Sequence, residues 1–335
     1  MKEYTITIPR RRDLRASLSW ASSLFSSPRA DKYYIDFKDM EWIEPFTLLF
    51  LSSNIQRFEA MNSESEFLPK NFQQHTYAAH MGFFKALQID FGNNPGAAQG
   101  SSNYLPITIF SIRELQKKAD HKAMPTGQLL EDHATELARL LTQEARSNLV
   151  DTLTYALREI MRNAVEHSES DNFLYCGQYW SKRNTVQVAI LDNGVGVRNA
   201  LSNNPNLRII SDDHALRLSI LPGITGKLHR SKIEDYDDWD NTGYGLYLTK
   251  RLCTKGGSFF LCSGNKGLYS KAAENDKYLN TSFKGTALRM ILDKNSISSL
   301  KTALKQFRVE GEEMAKKFRD GVPKASASSR GIIGR

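Results

Sequence analysis

Apolar and polar positions alternate from the first residues of the chain. Tyr4, Ile6 and Ile8 fall at every second place and predict a short strand ended by Pro9. Leu14, Leu18, Ala21 and Phe25 then recur at helical spacing over residues 11–26. A strand over 32–39 follows, and a helix over 45–61 with Pro45 in its first turn and Leu48, Leu49, Ile55 and Phe58 inward. A further apolar helix is expected near 74–87, a Gly/Asn/Ser-rich mobile loop over 93–103, and a strand over 105–110. This strand–helix alternation predicts a small α/β domain over residues 1–115.

Residues 114–124 are polar and basic, and Pro125-Thr126-Gly127 opens a second pattern. Helices are predicted over 129–148 and 149–167, a turn over 168–172, and strands over 173–180 and 185–192. Residues 197–241 carry Gly223, Gly226 and the acidic run 234–240; a connection of that length reads as a lid or a disordered segment. A helix over 247–254, a strand over 258–263, a loop or hairpin over 264–281 and a last strand over 285–292 complete a second domain over 125–295. A helix over 296–307 and a short one past Gly311 lead into a Gly/Ser/Pro/Lys tail, so that residues 296–335 read as a C-terminal helix and a disordered basic tail.

The length of 335 residues fits two domains, and 40% hydrophobic residues suffice for ordinary cores. A formal charge of +8 favours anionic ligands or acidic partners; because the cations are spread along the chain, it leaves nucleic acid open as a partner without arguing for it. Arg10-Arg11-Arg12 reads as a solvated helix entry. Three cysteines with no C-x-x-C pair argue against a disulfide framework or a zinc site and fit a cytoplasmic protein. The first residues lack an apolar core of signal-peptide length, and no run of about eighteen apolar residues predicts a membrane span.

The chemistry concentrates in four stretches. Glu159, Asn163 and His167 stand at steps of four and share one side of a helix, beside an apolar stripe of Leu153, Leu157, Ile160, Met161 and Ala164. A carboxylate that orients water and an amide that holds a metal ion are parts used in phosphoryl transfer. Residues 190–197 read I-L-D-N-G-V-G-V: Asp192 ends a strand, and Gly194 and Gly196 let backbone approach a ligand. Such an Asp can accept from the exocyclic amine of adenine. Residues 241–246, N-T-G-Y-G-L, put Gly243 and Gly245 before a helix whose free N–H groups suit phosphate. Gly285-Thr286 opens the last strand.

In this order and spacing the four stretches resemble the N, G1, G2 and G3 boxes of the GHKL ATP-binding superfamily, over about residues 125–295. The resemblance implies a Bergerat-type α/β sandwich, with helices on one face of a mixed sheet and Mg-ATP beneath a lid. It implies Mg²⁺ on Asn163, adenine on Asp192 with Thr286 nearby, an adenine pocket shaped by Gly194 and Gly196, and phosphates on Gly243, Tyr244, Gly245 and Leu246. Glu159 falls at the general-base position. Lys227 and Arg230 are candidate lid cations for the γ-phosphate. The segment I-D-F-K-D-M-E-W-I-E-P-F resembles the strand-to-helix segment of STAS-type domains, without their phospho-accepting Ser or Thr. His133 lacks the surroundings of a histidine-kinase acceptor and reads as a surface residue. ATP hydrolysis driving a conformational switch stands first. Serine/threonine phosphorylation of a protein partner and nucleotide sensing without turnover remain open, with a regulatory or defence component as partner and homodimerisation through the first half undecided.

Overall fold

The computed structural model describes residues 1–10, 14–41, 43–97, 103–226, 243–297 and 299–318. The chain begins with β1 (Glu3–Thr7), α1 (Leu14–Leu24), β2 (Lys32–Asp36), α2 (Pro45–Met61) and β3 (Glu66–Lys70). The three strands form a parallel sheet in the order β1-β2-β3. One face of it carries Tyr4, Tyr33 and Phe67 in one register row and Ile6, Ile35 and Pro69 in another, so the helices cover an aromatic and aliphatic surface. The other face carries the row Glu3, Lys32, Glu66, with Lys32 and Glu66 paired at 2.8 Å.

Two short helices, α3 (Thr76–His80) and α4 (Phe83–Ala86), lead to β4 (Tyr104–Ser111). There follow α5 (Ile112–Lys122), α6 (Thr126–Thr142), α7 (Asn148–His167), β5 (Asn172–Trp180), β6 (Thr185–Asp192), α8 (Gly196–Ser202), α9 (Asp212–Ser219), α10 (Gly245–Cys253), β7 (Ser258–Lys271), β8 (Lys277–Asp293) and α11 (Leu300–Phe318). The five later strands form a second sheet in the order β4-β5-β6-β8-β7, antiparallel at every pairing.

That sheet is apolar on both faces. Phe173, Tyr175, Val188, Ile190, Leu261, Leu288 and Met290 point to the layer of α6, α7 and α10. Cys176, Ala189, Leu191, Phe260, Cys262, Phe283 and Ala287 point the other way, into one core with α1, α2 and the three-stranded sheet. α2 is therefore buried all round over its first three turns, as a helix apolar on every side must be. Pro45 suits its first position, where no backbone donor is needed. Polar contacts tie the same seam: Glu44 meets Arg289 at 2.9 Å and accepts from Gln187, and the Cys176 thiol donates to the Pro45 carbonyl.

Several expectations change. The strand over 105–110 pairs with β5 and belongs to the second sheet, outside the α/β unit it was assigned to. The second sheet is antiparallel rather than mixed, and is covered on both faces rather than one. The span 197–241 holds α8 and α9 before the residues that are not described. The helix past residue 296 runs on through Gly311. β3 and α5, which the periodicity does not announce, are both present; Ser111 caps α5 by accepting from the Glu114 N–H. The 320–335 tail lies outside the described residues. Among those described, no helix is long and apolar enough to cross a membrane.

Candidate functional site

α7 begins at Ser147, whose hydroxyl accepts from the Val150 N–H at 3.1 Å, and runs twenty residues to His167. Its apolar stripe packs on the sheet, and the adjoining side faces a cleft. Asn163, Asp192, Gly196, Gly243, Gly245, Leu246 and Thr286 all line it, and so does His167. Six chain segments meet there and contribute Ile190, Leu261 and Leu288, so the floor is apolar.

Asp192 is the polar group set into that floor. It ends β6 directly opposite Thr286 on β8 and is 5% exposed. Its Oδ1 accepts the Gly194 N–H at 3.0 Å, and Thr286 donates through backbone and hydroxyl. Burial nevertheless outweighs these bonds and pushes the carboxyl up to about 6. A carboxylate at the edge of an apolar floor can accept a hydrogen bond from a ligand's amine.

The loop after Asp192 is pinned closely. A side chain at Gly194 would place its Cβ 1.9 Å from the Ser168 carbonyl, and the next residue, Val195, donates to that carbonyl at 2.8 Å. The Ser263 hydroxyl accepts from Val197 and donates to the Gly285 carbonyl. Gly285 has φ +95° and comes so near the Asp192 carbonyl that any Cβ would lie 2.1 Å from it, which only glycine tolerates.

At the other end, Gly245 is the first residue of α10, and Tyr244 before it makes no side-chain cap. The first-turn N–H groups and the helix dipole are thus presented to the cleft, an arrangement suited to an anion. The Gly223 N–H donates to the Gly243 carbonyl at 3.1 Å, joining the chain on either side of residues 224–242. Asn163 has a buried side-chain nitrogen with no partner among the described residues, a group that a ligand would satisfy.

Three expected residues sit off the cleft wall. Gly194 is turned against Ser168. Tyr244 is 1% exposed and points away, against Gly311 of α11. Glu159 lies behind Gly245, where its Oε2 would be 2.3 Å from a Cβ on that residue. Its Oε1 is held by Arg158 at 2.6 and 3.1 Å, and Arg158 also meets Glu131 at 3.2 Å. Lys227 and Arg230 lie outside the described residues. His133 is not the surface residue expected: it packs 4.9 Å from the Phe110 ring and bonds to the Tyr175 hydroxyl, and burial lowers its pKa.

Ser263 and Ser168 complete the site, and periodicity contains no signal for them; both act through hydrogen bonds to residues distant in sequence. Among the described residues no group of three or more His, Cys, Asp or Glu could hold a metal ion, so a cation here would need oxygens from its ligand beside the Asn163 amide. Comparisons with protein-family models, with curated proteins and with solved structures return no match for this chain.

Proposed function

We propose that the cleft binds ATP with Mg²⁺ in the manner of GHKL proteins and hydrolyses it. One observation carries the reading: residues distant in sequence and singled out for nucleotide chemistry (Asn163, Asp192, Gly196, Gly243, Gly245, Leu246 and Thr286) line a single cleft. Asp192 takes the adenine amine, Thr286 supports it, and the apolar floor stacks on the base. The N-terminus of α10 takes the phosphates. Mg²⁺ beside Asn163 would neutralise phosphate charge; one amide and no carboxylate cluster suits a cation that keeps water and phosphate oxygens as its other ligands.

Glu159 receives the proton of the attacking water. The water oxygen bonds to the γ-phosphorus, the bond to the β,γ-bridging oxygen breaks, and ADP leaves with the electron pair. Glu159 stands behind Gly245 at the phosphate end, so this role requires its Oε2 to reach the cleft past that residue, while Arg158 holds the other oxygen. The STAS-like reading of the first unit supplies no phospho-acceptor there: Thr47 is 2% exposed and faces the Ser17 hydroxyl at 3.1 Å.

The test is equilibrium ATP binding with and without Mg²⁺, together with phosphate release. Glu159→Gln should bind ATP and lose turnover by about a hundredfold or more, the scale of general-base catalysis. Asn163→Ala should lose the Mg²⁺ dependence of binding. Tight binding without phosphate release would move the acceptor from water to a protein hydroxyl. Failure to bind ATP would overturn the assignment.

A further inference from the structure

We infer that Ser53, on the helix behind the sheet, is a positioning residue that sets the base specificity of the cleft. The inference rests on the proposal that Asp192 receives the adenine amine. Ser53 lies on α2, whose first three turns are buried between the two sheets. Its hydroxyl, on a residue 6% exposed, donates to Asn193 Oδ1 at 2.8 Å across 140 positions of sequence.

Asn193 follows Asp192. The Asp192 carboxyl faces the cleft, and the Asn193 side chain turns the opposite way, to α2. The remaining bonds of this loop are made elsewhere: Gly194 to the Asp192 carboxylate, Val195 to Ser168, and Val197 to Ser263. Ser53 thus anchors the residue next to the specificity carboxylate from a rigid helix. A second contact acts on the opposing strand. Phe50, one turn earlier on α2, stacks on Phe283 with ring centroids 5.3 Å apart, and Phe283 stands two residues before Gly285. α2 therefore buttresses both chain segments that bracket Asp192.

An amine and a carbonyl at the same ring position separate a carboxylate that is aimed from one that is not. Inosine triphosphate presents oxygen where ATP presents an amine, so a fixed Asp192 acceptor favours ATP. Freed of Ser53, Asn193 releases the Asp192 backbone and the preference weakens. Phosphate contacts at α10 are unaffected.

Affinities of ATP and inosine triphosphate are to be measured for the full chain, for Ser53→Ala, for Asn193→Ala and for the double variant. Ser53→Ala should lower the ATP-to-inosine-triphosphate affinity ratio about three- to tenfold, the worth of one hydrogen bond. The Mg²⁺ dependence of ATP binding should not change. Asn193→Ala, at an exposed position that tolerates truncation, should give the same loss, and the double variant no more. An unchanged ratio in both single variants overturns the inference, whatever happens to thermal stability. If the native chain itself does not prefer ATP, the adenine reading fails first, and that outcome is read on the unsubstituted protein alone.

Discussion

At the scale of single residues, Asp192 and Gly194 carry the most consequence. Asp192 holds its proton in the folded chain up to about pH 6 and releases it in the unfolded chain near 3.8. Between those values the folded state binds more protons, so this group's contribution to stability is full below about 4 and is lost as pH rises through 6. Asp192→Asn should accordingly be more stable than the native chain at pH 7, by on the order of 2 kcal/mol, with the difference shrinking towards pH 4 in urea unfolding series. ATP affinity should run the other way, falling as the native carboxylate is protonated below about pH 6. Equal pH profiles for the two proteins would remove the buried-carboxylate account. Gly194→Ala should break the Val195–Ser168 bond, since the added carbon meets a carbonyl at 1.9 Å, and should abolish nucleotide binding before it abolishes the fold. Residues of this kind are legible in sequence because their requirement is local: an acid at a strand end, a glycine where backbone closes on backbone. Ser53 and Ser263 are not, because what they bind lies 140 and 66 positions away.

At the scale of elements, α11 shows why a residue pattern can mislead. Leu300, Ala303, Leu304, Phe307 and Met314 form one stripe that packs on Tyr155, Tyr244, Tyr247, Leu248 and Leu252. Gly311 lies on the same side and reads as a helix breaker, since glycine inside a helix costs about 1 kcal/mol relative to alanine. Here a Cβ would lie 2.8 Å from the Tyr247 ring and 3.3 Å from that of Tyr244, so the glycine is what lets α11 close on α10. β6 posed the opposite difficulty: its alternation is nearly erased because both faces are covered, leaving a run such as V-A-I-L that a buried helix also offers. The docking predicts unequal effects. Phe307→Ala should cost about 3–5 kcal/mol, as for any large buried ring. Arg251→Ala removes a pair with Glu310 whose side chains are 32% and 39% exposed and should cost less than about 1 kcal/mol for that pair. Gly311→Leu should push Tyr244 and weaken triphosphate binding more than adenosine binding, because Tyr244 leads into the first turn of α10. An equal loss for both ligands in titration calorimetry would show that α11 does not act through the phosphate end.

At the scale of the whole molecule, the chain length and the pattern of elements suggest two domains, and the packing joins them. The five-stranded sheet turns Phe260, Phe283, Leu191 and Ala189 into the core that contains α1, α2 and the parallel sheet, and every one of these is at most 3% exposed. Separating the halves would bare that face, and each large side chain returned to water costs about 1.5–3 kcal/mol. Residues 104–318 produced alone should therefore aggregate or bind hydrophobic dye rather than fold, and the complete chain should unfold in one transition by circular dichroism and by fluorescence. Ligand linkage gives the sharper test. ATP at about a hundred times its Kd adds about 2.7 kcal/mol to whatever unfolds as a unit with the cleft. If the shared core makes that unit the whole chain, amide exchange in β1, β2 and β3 should slow on ATP addition by nearly as much as in β6 and β8, although the cleft lies on the far face of the intervening sheet. Protection confined to the five-stranded sheet and its helices would mean that α2 separates from it more cheaply than the buried Phe46–Phe260 and Phe50–Phe283 contacts imply, and the two halves would then be independent after all.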